Sequence, residues 1–277
     1  MPYPDWATRP VCILFSKHLK YHIQHDIFIS GYCINSFMEI ISTGYPKLDE
    51  LLGGGFVKGT TNLIVEWGGF LGEGGCQGNL FSLLLLKKRI ESGDIGLVDC
   101  YSMPPEQMMS YAKTHNIDLI KDYNEKKVYF LDFSSVGKSV LGDMDLSRFA
   151  SKYTETVKNL IPEGDVFNVL ISLSEYIMKH GEETIYRHLS EKKKVYEVTK
   201  RTSVYLAEGT YYSRKYIDRL VSLFDTVILL KISMWRKGLN ADKEYRKILS
   251  VDKSPLRYSK IPVDYEIEGK PAEIRFL

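Results

Sequence analysis

The alternation of apolar and polar positions divides the chain into strands and helices in regular succession. Thr61–Val65, with Leu63-Ile64-Val65 apolar in succession, reads as a short buried strand. A glycine-rich loop follows from Glu66 to Gly78, with glycines at 68, 69, 72, 74, 75 and 78. Leu80–Glu91 then reads as a helix and Ile95–Asp99 as the next strand. Upstream, Lys47–Leu52 predicts a short helix stopped by Gly53-Gly54-Gly55, since glycine accepts the left-handed conformation at a helix end. Downstream, Pro104-Pro105 opens a helix running to about His115, with Met108, Met109 and Ala112 on its apolar side. Lys127–Phe133 predicts a strand and Ser134–Asp145 a polar loop. Leu146–Ile161 predicts a helix from the spacing of Phe149, Tyr153, Val157, Leu160 and Ile161, stopped by Pro162-Glu163-Gly164.

The same pattern continues with a strand over Val166–Ser172 and a helical region over Glu175–Lys200, with Gly181 as its candidate break. A strand is predicted at Ser203–Leu206, a helix at Tyr216–Phe224 and a strand at Thr226–Ile232. The tail changes character: Tyr245–Val251, Val263–Ile267 and Glu273–Phe276 read as β-hairpins, the last turning at Glu268-Gly269. Strands alternating with helices predict an α/β fold. Its sheet is mainly parallel, with helices on both faces and antiparallel hairpins at one edge.

Residues 1–37 do not share this rhythm and are expected to be an extension to a domain spanning 38–277. Met38 is an alternative natural start. His18, His22 and His25 have spacing compatible with one helical face, a pattern that metal sites use, but no carboxylate or cysteine cluster accompanies them. The four cysteines, Cys12, Cys33, Cys76 and Cys100, are dispersed without a CxxC, so buried thiols are expected rather than a zinc site. The chain has 37 basic and 35 acidic residues, a balance that argues for neither nucleic acid nor membrane as a global partner. No apolar run approaches the roughly 18–20 residues of a membrane span, and no signal peptide is evident, which predicts a cytoplasmic protein. A Lys-, Ile- and Tyr-rich composition with only three glutamines leans toward a thermophile.

Strand, glycine loop, helix, strand is the layout of a phosphate-binding βαβ unit. The segment Ser42–Val65 (STGYPKLDELLGGGFVKGTTNLIV) resembles the opening of the KaiC-like branch of the RecA superfamily. Thr43-Gly44, Leu48 through Gly55 and Gly59 carry the resemblance at fixed spacing. Gly96-Leu97-Val98, Pro105-Glu106-Gln107, Val166–Ser172 and Ser254-Pro255 extend it across roughly residues 40–277, with archaeal KaiC-like proteins and RadA paralogues the nearest in type. The resemblance implies a RecA-like fold and, where the motifs are intact, ATP hydrolysis.

The motifs are not intact. In a working phosphate loop, backbone N–H groups cradle the phosphates, a lysine neutralises them and a Ser/Thr hydroxyl holds Mg²⁺. Matching Gly78 to the last glycine puts Asn79 at the lysine and Leu80 at the hydroxyl. The candidate loop is then Gly72, Gly74, Gly75, Gly78, Asn79 and Leu80, in a degenerate form. Lys87 lies too far along the helix to substitute, roughly 12 Å at about 1.5 Å per residue. Gly137-Lys138-Ser139 lacks the preceding glycine of a true loop. Ser172 stands at the family's Walker B aspartate, Ser102 and Met103 at its catalytic glutamate pair, and Ser250 and Asp252 at its trans-acting Lys/Arg pair.

The resemblance with these departures implies a non-hydrolysing relative that binds, assembles or regulates. It has no catalytic residues, no metal and no obligatory cofactor. The alternative is an ATP-binding ATPase with a divergent loop, of a kind serving DNA recombination or repair. Glu66 and Glu73 put negative charge into the loop and count against phosphate. The expected partner is protein: the chain itself or an active RecA-family relative. A basic stretch of Arg187, Lys192, Lys193, Lys194, Lys200 and Arg201 is a candidate nucleic-acid contact or, equally, a solvated helix face.

Overall fold

The structure is a computed structural model. It describes residues 23–29, 32–68, 75–101, 103–133, 153, 155–157, 159–161, 164–235 and 244–277. The chain divides into two units, Met1–Met38 and Glu39–Leu277. In the first, β1 (Ile23–Ile29) pairs antiparallel with β2 (Tyr32–Met38), Ile23 opposite Met38 and Ile29 opposite Tyr32. His25 is thus a strand residue, which removes it from the helical face expected for the three histidines; His18 and His22 lie outside the described residues.

The second unit opens with a two-stranded antiparallel pair, β3 (Ile40–Ile41) and β4 (Phe56–Val57), and is built on a nine-stranded sheet. Its strands are β5 (Thr61–Trp67), β6 (Ile95–Cys100), β7 (Val128–Asp132), β8 (Val166–Ile171), β9 (Thr202–Glu208), β10 (Thr226–Trp235), β11 (Glu244–Lys253), β12 (Val263–Glu268) and β13 (Glu273–Phe276). The spatial order is β13-β12-β11-β10-β5-β9-β8-β6-β7. From β7 to β10 every pairing is parallel; β11, β12 and β13 add antiparallel strands beyond β10. This is the predicted architecture, and most boundaries fall within a few residues of expectation.

Both faces of the parallel strands are buried, which explains their mostly apolar character. On β5, Ile64 packs into one core layer, and Leu63 and Val65 into the other. On β8, Phe167, Val169 and Ile171 share the first layer, while Val166 and Leu170 share the second. The first layer is covered by α2 (Gly78–Glu91), which is apolar on nearly every side because it lies between the sheet and its outer neighbours. It also includes α1 (Pro46–Leu52), α3 (Pro105–Thr114) and α4 (Leu119–Asn124). The second face is covered by α5 (Leu173–His180), α6 (Glu182–Thr199) and α7 (Arg214–Leu223).

Gly181 does break the long helical region into α5 and α6. Of the helix predicted over Leu146–Ile161, positions 153, 155–157 and 159–160 are helical, with Tyr153 and Val157 buried; the start of that helix and the loop before it lie outside the described residues. Helix α4 was not expected; Asp118 caps it by accepting from the Lys121 N–H.

The opening segment Ser42–Gly55 is a set of structural fasteners. Asp49 accepts from the Thr43 N–H at 2.7 Å and from the Ser42 hydroxyl at 2.5 Å, tying the first loop to α1. Arg89 of α2 donates to the Ser42 carbonyl at 2.6 Å. Gly53 ends α1 at φ 84°, its N–H directed to the carbonyls of Asp49 and Glu50. A Cβ there would run into the Arg257 carbonyl oxygen. Gly53→Ala is therefore expected to cost about 2–3 kcal/mol, from the left-handed backbone and the clash together. A urea midpoint lowered at unchanged slope would register that loss. A midpoint equal to wild type would show that the turn relaxes freely.

Candidate functional site

Strand β5 runs into the glycine loop and α2 leaves it, so the loop sits at the C-terminal edge of the parallel strands. This is where open α/β sheets bind ligands. Residues 69–74, with the predicted Gly72 and Gly74, lie outside the described residues. Gly75, Gly78, Asn79 and Leu80 are placed, at and just before the start of α2.

Gln77 precedes α2 in the left-handed region, at φ 60° and ψ 39°. Such a residue turns successive backbone N–H groups toward one point and makes an anion-binding concavity. The anion at that point is the chain's own. Glu66, on β5 and 8% exposed, accepts the Gly78 N–H on Oε2 at 3.1 Å, and the N–H groups of Cys76 and Gln77 also bear on its carboxylate. Gly78 has no room for a side chain: a Cβ would sit 2.5 Å from Glu66 Oε2 and 2.6 Å from Leu206 Cδ1.

Neighbouring strands lock this arrangement. Tyr265 on β12 donates its hydroxyl to the Cys76 carbonyl at 2.7 Å, and the Cys76 thiol lies 3.3 Å from the Trp67 carbonyl. Lys247 on β11 donates to Gln77 Oε1 at 2.7 Å. It reaches Gln77 from a strand 170 residues away in sequence. Lys87, by contrast, pairs with Asp122 at 2.7 Å, as its position along α2 required.

Burial pushes the Glu66 carboxyl above the usual range; the Gly78 N–H opposes this, and Glu208, its register partner on β9, adds to the rise. Because the folded value lies above the unfolded one, this group's contribution to stability is full below the unfolded pKa of about 4.3. It is lost as pH rises through the raised folded value. Glu66→Gln removes the ionisation while keeping the shape. Its melting temperature relative to wild type is expected to rise between pH 5 and pH 8. An offset flat across that range would mean that Glu66 is ionised without penalty.

The other predicted positions are remote from phosphate chemistry. Leu80 is 1% exposed and packs in the first core layer, so it is not a loop ligand; Asn79 Oδ1 is buried without a hydrogen-bond partner. Ser172 precedes α5 with φ 62° and is buried. Met103 packs against the core, and Ser102 lies outside the described residues, as does Gly137-Lys138-Ser139. Ser250 lies opposite Leu229 within the β10–β11 pairing, and Asp252 lines a groove beside Trp67, Arg214 and Lys231. Cys76 and Cys100 are buried free thiols, with Cys76 pushed up to about 12 by burial. Among the described residues no three His, Cys, Asp or Glu side chains gather as metal ligands.

The basic stretch is not the solvated face that its composition suggested. Ile185, Leu189, Lys192 and Tyr196 form one stripe of α6 facing the sheet, and Lys192 is 1% exposed. Its ammonium donates to Asp99 Oδ2 at 2.6 Å and lies 4.1 Å from the centre of the Tyr153 ring. Tyr153 donates to the same carboxylate at 3.2 Å, and Tyr196 donates to Asn168 Oδ1 at 3.0 Å. Arg201 is also buried. Lys193 donates to Asp225 at 2.6 Å and to the Leu223 carbonyl at 2.9 Å, closing the end of α7. Arg187, Lys194 and Lys200 remain exposed, so the six-residue nucleic-acid contact is reduced to three positions. No helix among the described residues is long and apolar enough to cross a membrane.

A KaiC-like protein from the hyperthermophilic archaeon Pyrococcus horikoshii has a similar fold, with a TM-score of 0.66 at 20% identity, covering 87% of this chain and 99% of the other. No curated protein matches the chain. The sequence profile of the KaiC ATPase family matches residues 41–274, which takes in nearly all of the nine-stranded unit. The chain belongs to the KaiC ATPase family.

Proposed function

We propose that this chain is a non-hydrolysing member of its family that acts as a binding, assembly or regulatory subunit. The observation that carries the reading is Leu80. It stands where the family's metal-holding hydroxyl belongs, and its side chain is sealed in the core. A magnesium nucleotide also needs a charge at position 79, a carboxylate after β8 and a base after β6. Asn79, Ser172 and Met103 supply none of these. The residues present do not fit a magnesium nucleotide.

Assembly then depends on the scaffold and not on a nucleotide. Sedimentation of the full chain is expected to give the same distribution with and without Mg²⁺ and ATP. A nucleotide-driven change in oligomer size would contradict the reading. One observation favours the alternative of an ATPase with an unfamiliar loop: Lys247 brings a cation to Gln77 from β11. In that case Lys247→Met would abolish nucleotide affinity measurable in wild type.

A further inference from the structure

Between α7 and the strands β5, β10 and β11, the second face of the sheet carries a groove of about 400 Å³. Leu229 and Trp67 supply apolar surface from the strands, and Ile217 and Val221 supply it from α7. The Trp67 indole rests on bare backbone: a Cβ added to Gly209 would stand 2.7 Å from its Cε2. Arg214 and Asp218, also lining the groove, satisfy each other at 3.0 Å.

Two further charges in the groove, Lys231 and Asp252, are of opposite sign and have no ion-pair partner among the described residues. Lys231 is exposed and lies opposite Trp67 in the β10–β5 register. Asp252 arrives through an irregularity. Val227 pairs with Lys253 and Ile228 with Val251, which makes Asp252 the extra residue of a β-bulge. Val251 packs into the first core layer, and the Lys253 ammonium donates to the Val221 and Phe224 carbonyls at the end of α7. Asp252 is thereby released from the ladder and turned into the groove. It falls beside Val227 and Ile228, three to four residues from Lys231 along β10, roughly 10–13 Å at about 3.3 Å per residue.

We propose that this groove binds a short apolar peptide end to end, its amino terminus at Asp252 and its carboxylate at Lys231. A ligand matched to both charges carries a cation and an anion that far apart, with apolar groups between them. An extended tripeptide does so, since three residues span roughly 10–11 Å. A dicarboxylate leaves one end facing Asp252, a diamine leaves one end facing Lys231, and a polyanion such as nucleic acid meets both Asp218 and Asp252. Strand β10 has β5 and β11 as neighbours, so the groove offers no open strand edge. Recognition rests on the two termini and on burial of side chains against Trp67 and Leu229. The groove lies on the sheet face opposite α2, so peptide binding stands whether or not the chain hydrolyses ATP.

The test uses the ¹⁵N-labelled full chain and reads the Trp67 indole N–H, assigned by its loss in Trp67→Phe. Trileucine is the probe: free, N-acetylated, C-amidated, and blocked at both ends. Free trileucine is expected to move the Trp67 resonance saturably. Each block is expected to weaken binding to wild type by about two- to fivefold, the range of an exposed ion pair. Asp252→Asn is expected to lose the discrimination against the acetyl group and keep that against the amide, and Lys231→Met to do the reverse. Both side chains are exposed, so neither substitution threatens the fold.

A doubly blocked peptide that binds as tightly as the free one would overturn the proposal, as would blocks that weaken binding to both variants as they do to wild type. A Trp67 resonance that trileucine leaves in place, but that oligothymidylate or a rise in protein concentration moves, would make nucleic acid or a second copy the occupant and would also overturn it. So would a resonance that no probe moves.

Discussion

Replacing Lys192 by methionine is expected to destabilise the folded chain by about 3–5 kcal/mol, because it leaves Asp99 as a buried charge without its counter-ion. Asp99 is fully buried, and its remaining partner would be the Tyr153 hydroxyl at 3.2 Å. Methionine preserves the length of the side chain, so little of the loss would come from packing. For a domain of this size each kcal/mol moves the melting temperature by roughly 2–4 °C. A fall on the order of 10 °C is therefore expected in a thermal scan. The paired change Lys192→Met with Asp99→Leu should recover most of that fall, since the cost lies in the orphaned charge and not in the absence of an ion pair. If the single substitution leaves the melting temperature unmoved, water reaches Asp99 and the pair is not sealed.

The same variant separates two roles for the basic stretch. Burial pushes the Lys192 ammonium down and Asp99 opposes it, so the residue acts within the core. Of the basic stretch, Arg187, Lys194 and Lys200 are the positions left exposed.

Rebuilding the missing motif is expected to damage the protein without activating it. Asn79→Lys with Leu80→Thr restores the family's residue types at the start of α2. Leu80 is 1% exposed, and threonine there both removes buried apolar volume and introduces a hydroxyl. A loss of about 3 kcal/mol is expected from these terms combined. No ATP turnover is expected in return, because Glu66 still occupies the Gly78 N–H and Ser172 still provides no carboxylate. Chemical denaturation measures the first effect and phosphate release the second. A stable double variant that hydrolyses ATP would show that the loop needed only those two side chains.

The strands of the sheet were legible because burial on both faces leaves a mostly apolar run, as in Val166–Ile171, where only Asn168 is polar. The glycine triplet was legible because a left-handed helix end calls for glycine, as Gly53 confirms. Helix α4 escaped because six residues give too little periodicity, although Asp118 followed by Leu119 and Ile120 is a capping signal. The β1–β2 hairpin was not legible because the spacing of His18, His22 and His25 also fits one helical face. Ile23, His25, Ile27 and Ile29 alternate with the period of a strand.

Two features of the site depended on contacts that no local pattern encodes. Lys192 was read with its sequence neighbours as a basic run. The helical spacing of Ile185, Leu189, Lys192 and Tyr196 already placed it on the buried stripe. The role of Glu66 follows from the meeting of a strand end with a helix start across the glycine loop, and that of Lys247 from the pairing of β11 with β10. Glutamate in the loop was visible as an unfavourable charge for phosphate; its service as the acceptor for the loop's own N–H groups required the folded geometry.

We propose that the KaiC-family scaffold is retained here without its chemistry. The most direct test is steady-state phosphate release by the full chain, with saturating ATP and Mg²⁺, measured beside the same preparation without Mg²⁺. No release above the rate of ATP in buffer alone is expected under either condition. Magnesium-dependent turnover that is lost with Lys247→Met would contradict it, and would make Lys247 the cation of a working site.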